Sequence, residues 1–313
     1  MTMKFPIGVT IFSPSAQQTL TMIKQVEQLG IPRVWIPSWP VGLDGLAIVT
    51  AAAVQTSQIG LGTAITITYP RHPLTLANEA LVAAELAPQR FRLGIGASHR
   101  PAIEGNYGLD FMPPLARLRE YITVLRGMLW EGRSDFEGEY YRVHAQYSAP
   151  PPRTPIALAA MRKNMLRLAG ELADEAIVIW SPLSYLKSVV LPALEEGAKL
   201  AGRPRPKLIA SAPIVLDKDF ATVRQIAQNG FSVYRSFPTY RRLLAEAGFS
   251  LTADGKLPDE FIHDHYIYGD PDTIRQRLYA LHAAGVDEII TGVGTRKDPA
   301  RDTNAILELL ASL

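Results

Sequence analysis

Three stretches of the sequence combine residue types suited to holding an anion, moving a proton or admitting a ligand against the backbone. The first is Gly94-Ile95-Gly96-Ala97-Ser98-His99-Arg100. Its small residues let a ligand approach the backbone amides, and Ser98 adds a donor; Gly94 alone is also explained by close strand–helix packing. The second is Ala157-Leu158-Ala159-Ala160-Met161-Arg162-Lys163-Asn164. Two alanines lead into a helix start that carries Arg162 and Lys163, where the positive end of a helix ordinarily disfavours cations. Free amides and two cations together suit a phosphate. The third runs from Gly62 to Pro73 and ends in Tyr69-Pro70-Arg71-His72-Pro73. Arg71 suits an anionic substrate group and His72 a proton transfer near neutral pH, or both serve structural hydrogen bonds.

All three stretches end short apolar runs, and the chain alternates such runs with longer helical stretches. Strands are expected at Ile7–Ile11, Arg33–Ile36, Ile59–Thr68, Phe91–Gly96, Ile156–Ala159, Glu175–Trp180, Lys207–Leu216 and Asp287–Val293. Helices follow them, with Asp44 as an N-cap and Pro73 in a first turn. Eight strands, each followed by helix, point to one parallel sheet closed as a (β/α)8 TIM barrel, a single domain over residues 1–313. Two connections are long. After strand four come a helix (Leu115–Trp130) and a hairpin over Asp135–Tyr141 turning at Glu137-Gly138; after strand seven come two helices and the stretch Ser250–Tyr268. Such insertions normally lie over the catalytic end of a barrel, where Tyr69, Arg71 and His72 would line the mouth.

An open dinucleotide-binding sheet would require Gly-x-Gly-x-x-Gly after a strand. Gly60/Gly62, Gly94/Gly96 and Gly292/Gly294 each lack the third glycine. With no cysteine, thiol catalysis and iron–sulfur ligation are excluded. His263-Asp264-His265 is the one tight histidine pair and no zinc spacing exists, so no metal is expected. Ser98 lacks the second glycine of a nucleophile elbow, because position 100 is arginine. A net charge of +2, spread evenly, argues against nucleic acid as a partner. Met1–Val9 does not read as a signal peptide, and the most apolar run, Leu46–Val54, is too short to span a membrane. A cytoplasmic protein acting on a small molecule is the expectation.

Three phrases carry a family resemblance: Arg71-His72-Pro73, Gln89-Arg90-Phe91-Arg92-Leu93-Gly94-Ile95-Gly96, and Met165-Leu166-Arg167-Leu168-Ala169-Gly170-Glu171-Leu172-Ala173-Asp174. They resemble the luciferase-like monooxygenase superfamily over most of the chain and in the same order. The last phrase resembles the branch that uses the deazaflavin coenzyme F420. The resemblance implies a barrel with cofactor at the carboxyl ends of its strands and a homodimer. It implies a non-prolyl cis peptide in strand three, at Ala64-Ile65, behind the cofactor ring. Gly96, Ala97 and Ser98 would lie along the cofactor, and Ala159, Ala160 and Met161 would cradle its phosphate. Some deazaflavin members carry Asp-His after strand two; Ser38-Trp39 stands here, so Trp39 is expected to shape the pocket and the sugar-phosphate chemistry of that subgroup is not carried over.

The expectation is therefore F420-dependent hydride transfer to or from a small organic substrate. Arg71 and His72 are the candidates for orienting the substrate or passing a proton. An FMN-dependent monooxygenase on the same barrel is the alternative, and a non-catalytic flavin-binding dimer a second one.

Overall fold

The computed structural model describes residues 5–292 and 299–313. Met1–Lys4, Val293, Gly294 and Lys297, which the reading of strand one, strand eight and the glycine patterns touched, lie outside them. Eight parallel strands close on themselves: β1 (Ile7–Thr10), β2 (Arg33–Ile36), β3 (Gly60–Thr63), β4 (Phe91–Gly96), β5 (Ile156–Ala159), β6 (Glu175–Val178), β7 (Lys207–Ser211) and β8 (Glu288–Thr291). β1 lies between β2 and β8, and β3 pairs with β4 to complete the ring. The architecture is the expected (β/α)8 barrel. Strands so enclosed read as apolar runs because helices cover their outer faces.

Four expected elements end differently. Strand three parts after Thr63 and resumes at Thr66–Ile67, with a cis peptide bond between Ala64 and Ile65. β6 ends at Val178, and Trp180 adopts a left-handed backbone (φ 54°). β7 stops at Ser211; beyond Pro213, Ile214–Val215 pair with Ile267–Tyr268 as a separate two-stranded sheet. Proline has no backbone N–H to give a ladder, which ends the strand there. The hairpin pairs Arg133–Glu137 with Arg142–Gln146, so its turn spans 138–141, longer than a Glu137-Gly138 turn.

The gap in strand three is a bulge. Gly62 faces Arg92 and Thr66 faces Ile95, so three residues of one strand oppose two of the other. The fully buried Thr63 hydroxyl bridges the gap, accepting from Gly94 N at 2.9 Å and donating to Gly94 O at 2.7 Å. Gly94 must be glycine: a Cβ there would lie 1.9 Å from the Thr63 carbonyl oxygen. The bulge is also tied to the end of β2, through Ala64 N to Ile36 O (2.9 Å) and Ser38 N to Ile65 O (3.2 Å).

Below the bulge the barrel is filled by Trp35, Ala157, Ile177, Ile209 and Ile290. Gly8 and Gly62 make room for the Trp35 ring; a Cβ at either would come within 2.7 Å of it. Trp35 Nε1 donates to Glu288 at 2.8 Å, and Glu288 opens a buried charged quartet. Arg92 reaches Glu288 at 2.7 Å and Glu175 at 3.1 Å, while Arg33 lies 3.5 Å from Glu288. Burial, then repulsion from Arg92, lowers the Arg33 pKa to about 10; burial pushes the Glu175 carboxyl up.

Two outcomes are expected. Thr63→Val leaves Gly94 N–H and C=O buried without partners and costs about 2 kcal/mol in urea unfolding, while Thr63→Ser costs less; equal costs would show that the hydroxyl does not carry the bridge. Arg92→Met costs about 3 kcal/mol at pH 8. Without Arg92 the Glu175 pKa rises further above its unfolded value, so the native state holds a proton the unfolded chain releases. The loss must therefore shrink as pH falls toward 5, and a loss independent of pH would contradict the ion-pair account.

Candidate active site

The carboxyl ends of the strands open into a cavity of about 1170 Å³. Every barrel strand or the loop after it supplies lining atoms, among them Thr10, Ile65, Ala159, Ser211 and Ile290. The bulge sets its floor: Ile65, displaced from the ladder, lies beside Gly96 and Ala159. A Cβ on Gly96 would stand 3.1 Å from Ala159 Cβ and 3.2 Å from the Ile65 side chain, so only glycine keeps this surface level. Ala97 and Ser98 continue the lining; Ser98 adopts a left-handed backbone (φ 60°) as the chain turns from β4 toward the Arg100–Tyr107 helix.

At one corner the chain leaves β5 and starts the Lys163–Leu172 helix. Its N-cap, Arg162, makes no side-chain cap and no acidic residue occupies the first turn, so the leading amides are left for a ligand. Met161, Arg162, Lys163 and Asn164 line the cavity here, and Ala160, fully buried, gives its backbone N–H to Ile177 O. Arg162 is held by Glu246 through Nη2 at 2.6 Å and Nε at 3.0 Å. Tyr185 donates to Glu246 at 3.1 Å, and burial raises its pKa, with Glu246 adding to the rise.

The insertion after β7 forms an aromatic wall. Tyr234, Phe237 and Tyr240 line the cavity together with His99 from the β4 loop. The His99 imidazole stacks on Phe237 with ring centres 4.5 Å apart, and its Nε2 lies 3.3 Å from the Tyr240 hydroxyl. Burial lowers the His99 pKa and raises that of Tyr240, so near pH 7 the imidazole is neutral and the phenol protonated. Trp39 stands at the rim, 42% exposed and edge-on to Phe12 at 6.0 Å.

Of the residues singled out from sequence, Trp39, Ala64, Ile65, Gly96, Ala97, Ser98, Ala159, Met161 and Arg162 meet in this one cavity. Ala160, expected to cradle the phosphate, is fully buried behind its neighbours, and it, Tyr69, Arg71 and His72 do not line the cavity. Arg71 is held by Asp44 at 2.6 Å and Glu79 at 3.1 Å, and those carboxylates raise its pKa against the effect of burial. The His72 ring accepts from Leu74 N as the N-cap of the Pro73–Leu86 helix. Tyr69, 5% exposed, donates to the Met112 carbonyl and stacks on Phe111, so it backs that lining residue from behind. These placements follow the structural side of the alternative left open for Arg71 and His72. Sequence reasoning passed over His99, Phe237, Tyr240 and Glu246. His99 stood inside a stretch already marked, and its place in the strand-four loop was the available signal. The other three sit in an insertion whose path over the barrel has no periodic signature.

A profile described as luciferase-like monooxygenase matches residues 3–288. A 5,10-methylenetetrahydromethanopterin reductase of Methanopyrus kandleri is 30% identical over 318 residues, covering 89% of this chain and 90% of the reductase. Among solved structures, the F420-dependent tetrahydromethanopterin reductase of Methanopyrus kandleri superposes with a TM-score of 0.77 at 25% identity, covering 99% of this chain and 98% of that one. An F420-dependent secondary alcohol dehydrogenase in complex with an F420–acetone adduct gives 0.80 at 19% identity, with 99% and 98% covered. The oxygenating constituent of 3,6-diketocamphane monooxygenase of Pseudomonas putida, in complex with FMN, gives 0.73 at 19%, with 98% and 96% covered. The last two likenesses bear on the fold alone. Among the described residues no helix is long and apolar enough to cross a membrane. By the extent of the profile match and the identity to the reductase, this chain belongs to the luciferase-like monooxygenase family and is an oxidoreductase.

Proposed function

We propose that the chain is a coenzyme F420-dependent oxidoreductase that moves hydride to or from a small organic substrate. One observation carries the reading: a level floor of Ile65, Gly96 and Ala159 shares a cavity with an uncapped helix start bearing Lys163. A planar ring fits the first and a phosphate the second. The volume, about 1170 Å³, accommodates a cofactor and a substrate together. The reductase named above, 30% identical over nearly the whole chain, supports the deazaflavin over FMN, since its solved structure is described as F420-dependent. When bound, a deazaflavin supplies hydride chemistry at a ring carbon and reacts slowly with oxygen. The chain's own part is to bind, orient and exclude water. Gly96 and Ile65 would support the ring, the amides of residues 163–165 and the Lys163 ammonium would hold the phosphate, and the wall of Tyr234 and Phe237 would shield the substrate face.

The same reading takes the chain as one domain acting in the cytoplasm as a homodimer. Val54, Val82 and Leu86, 65%, 50% and 42% exposed on neighbouring helices, offer apolar surface to a second copy.

Equilibrium titration followed by ring fluorescence is expected to give tight binding of F420 and weak binding of FMN. The reverse order would assign the site to FMN and to oxygen-using chemistry. Gly96→Val, whose branches rise from the floor, is expected to weaken cofactor binding about tenfold or more with the far-UV spectrum retained. Unchanged affinity in that variant would place the ring elsewhere.

A further inference from the structure

The phosphate corner and the substrate wall come from different parts of the chain. The corner is the start of the Lys163–Leu172 helix, and the wall belongs to the insertion after β7. The Pro238–Glu246 helix joins them: it follows Phe237 at the wall and ends at Glu246, which lines the cavity at the corner. At 1.5 Å per residue its nine residues span about 13 Å. Tyr240 and Leu244 bury this helix in the insertion's own apolar cluster, and Leu243 in that of the barrel. Its last turn is tied to the corner by polar bonds. Arg162 donates through Nη2 at 2.6 Å and Nε at 3.0 Å to one Glu246 oxygen. The buried Tyr185 hydroxyl lies 3.1 Å from the other oxygen and 3.2 Å from the Met161 carbonyl oxygen.

Neither charge of the pair stabilises its own helix. Arg162 is an N-cap and Glu246 the last helical residue, so each stands at the pole that disfavours its sign. The pair is half-exposed, and such pairs add little to stability. What it does is connect two segments. Lys163 and Arg167 share Glu196 at 3.8 and 3.5 Å, so three cations at this corner face two carboxylates and an anion is still attracted. A phosphate on the amides of residues 163–165 would turn the place of Arg162 from unfavourable to favourable. Glu246 occupies Nε and Nη2, and a guanidinium has further N–H donors, so Arg162 can take the phosphate without releasing Glu246.

We infer that Glu246 is a positioning residue: through Arg162 it fastens the substrate wall to the phosphate of the cofactor, so that the wall becomes rigid when the site is loaded. The inference rests on the cofactor reading, though only on its phosphate, which F420 and FMN share. In the free protein Arg162 is a half-exposed arm held by Glu246 alone at its charged end. A phosphate holds the same guanidinium from the other side, and the last turn of the Pro238–Glu246 helix loses its freedom with it. The wall is then ordered before the substrate arrives. Cofactor therefore binds first, and by reciprocity a ligand against the wall tightens the cofactor.

The test is hydrogen exchange read by mass spectrometry on the full chain, free and with saturating F420 or FMN. In the native protein, cofactor is expected to slow exchange over residues 241–247 about fivefold or more. Glu246→Ala is expected to remove that slowing while residues 163–166 stay protected by the cofactor. The same variant binds cofactor about threefold tighter, because a negative charge has gone from beside the phosphate. Glu246→Gln, which keeps a hydrogen-bond acceptor, falls between. Arg162→Gln weakens cofactor binding about tenfold and loses the slowing even at saturation. A residue that only held the helix down would behave otherwise: its loss would speed exchange equally with and without cofactor and would not tighten binding. Equal slowing in native and Glu246→Ala protein, or weaker cofactor binding by that variant, would overturn the assignment. Native protein that binds a cofactor without slowing over 241–247 removes the coupling alone; protein that binds neither F420 nor FMN removes the cofactor reading with it.

Discussion

The clasp between Thr63 and Gly94 is the constraint on which the site depends. Two strands that stayed in register would present side chains alternately inward and outward, with no displaced peptide at the mouth of the barrel. Here one residue too many sits in strand three, and a single buried hydroxyl supplies both the donor and the acceptor the ladder has lost. The close approach works only because Gly94 has no side chain. The consequence is felt two residues later: Ile65 is pushed to the cavity, Gly96 and Ala159 stay level beside it, and strand pairing resumes at Thr66. Fold and site meet in this one hydrogen-bonded pair.

Charge is distributed along the barrel axis in a way that suits this arrangement. The base holds Arg33, Arg92, Glu175 and Glu288, mutually paired and largely shielded from solvent, with the Trp35 indole donating into the set. Neutralised internally, the quartet adds little net field to the mouth. At the mouth the lining charges of the described residues sit at a single corner, and one pair of them is already joined. The rest of the cavity is apolar or weakly polar, a low-dielectric space in which one neutral imidazole and one phenol dominate the polar chemistry.

Much of this was legible in the chain before any coordinates. The eight strands show as apolar runs because both of their faces are buried, and Gly94, Gly96 and Ala159 show as small residues at strand ends. The bulge was not legible from periodicity, since Ile59–Thr68 reads as one continuous strand of Ile, Leu, Thr and small residues with no polar break; its place came only from family resemblance. Arg71 and His72 drew attention by residue type, yet their partners Asp44, Glu79 and the Leu74 amide could be found only in space. Tyr240 and Glu246 were hidden for the opposite reason. They lie in an amphipathic insertion helix with nothing to mark which of its polar side chains turns to the barrel.

Closure of the sheet has a further effect, on how the molecule avoids its own kind. Among the described residues the eight-strand ring leaves no edge on which a foreign strand could add. Open strand edges remain in the small two-stranded pairs. In the hairpin, the outward positions are Arg133, Asp135, Glu137, Arg142, His144 and Gln146, and His144 bridges Asp135 and Glu137 across the turn. Stacking a second copy along that ribbon would bring like charges together and strip them of water, so the same charged residues that face solvent protect the exposed edge from strand addition.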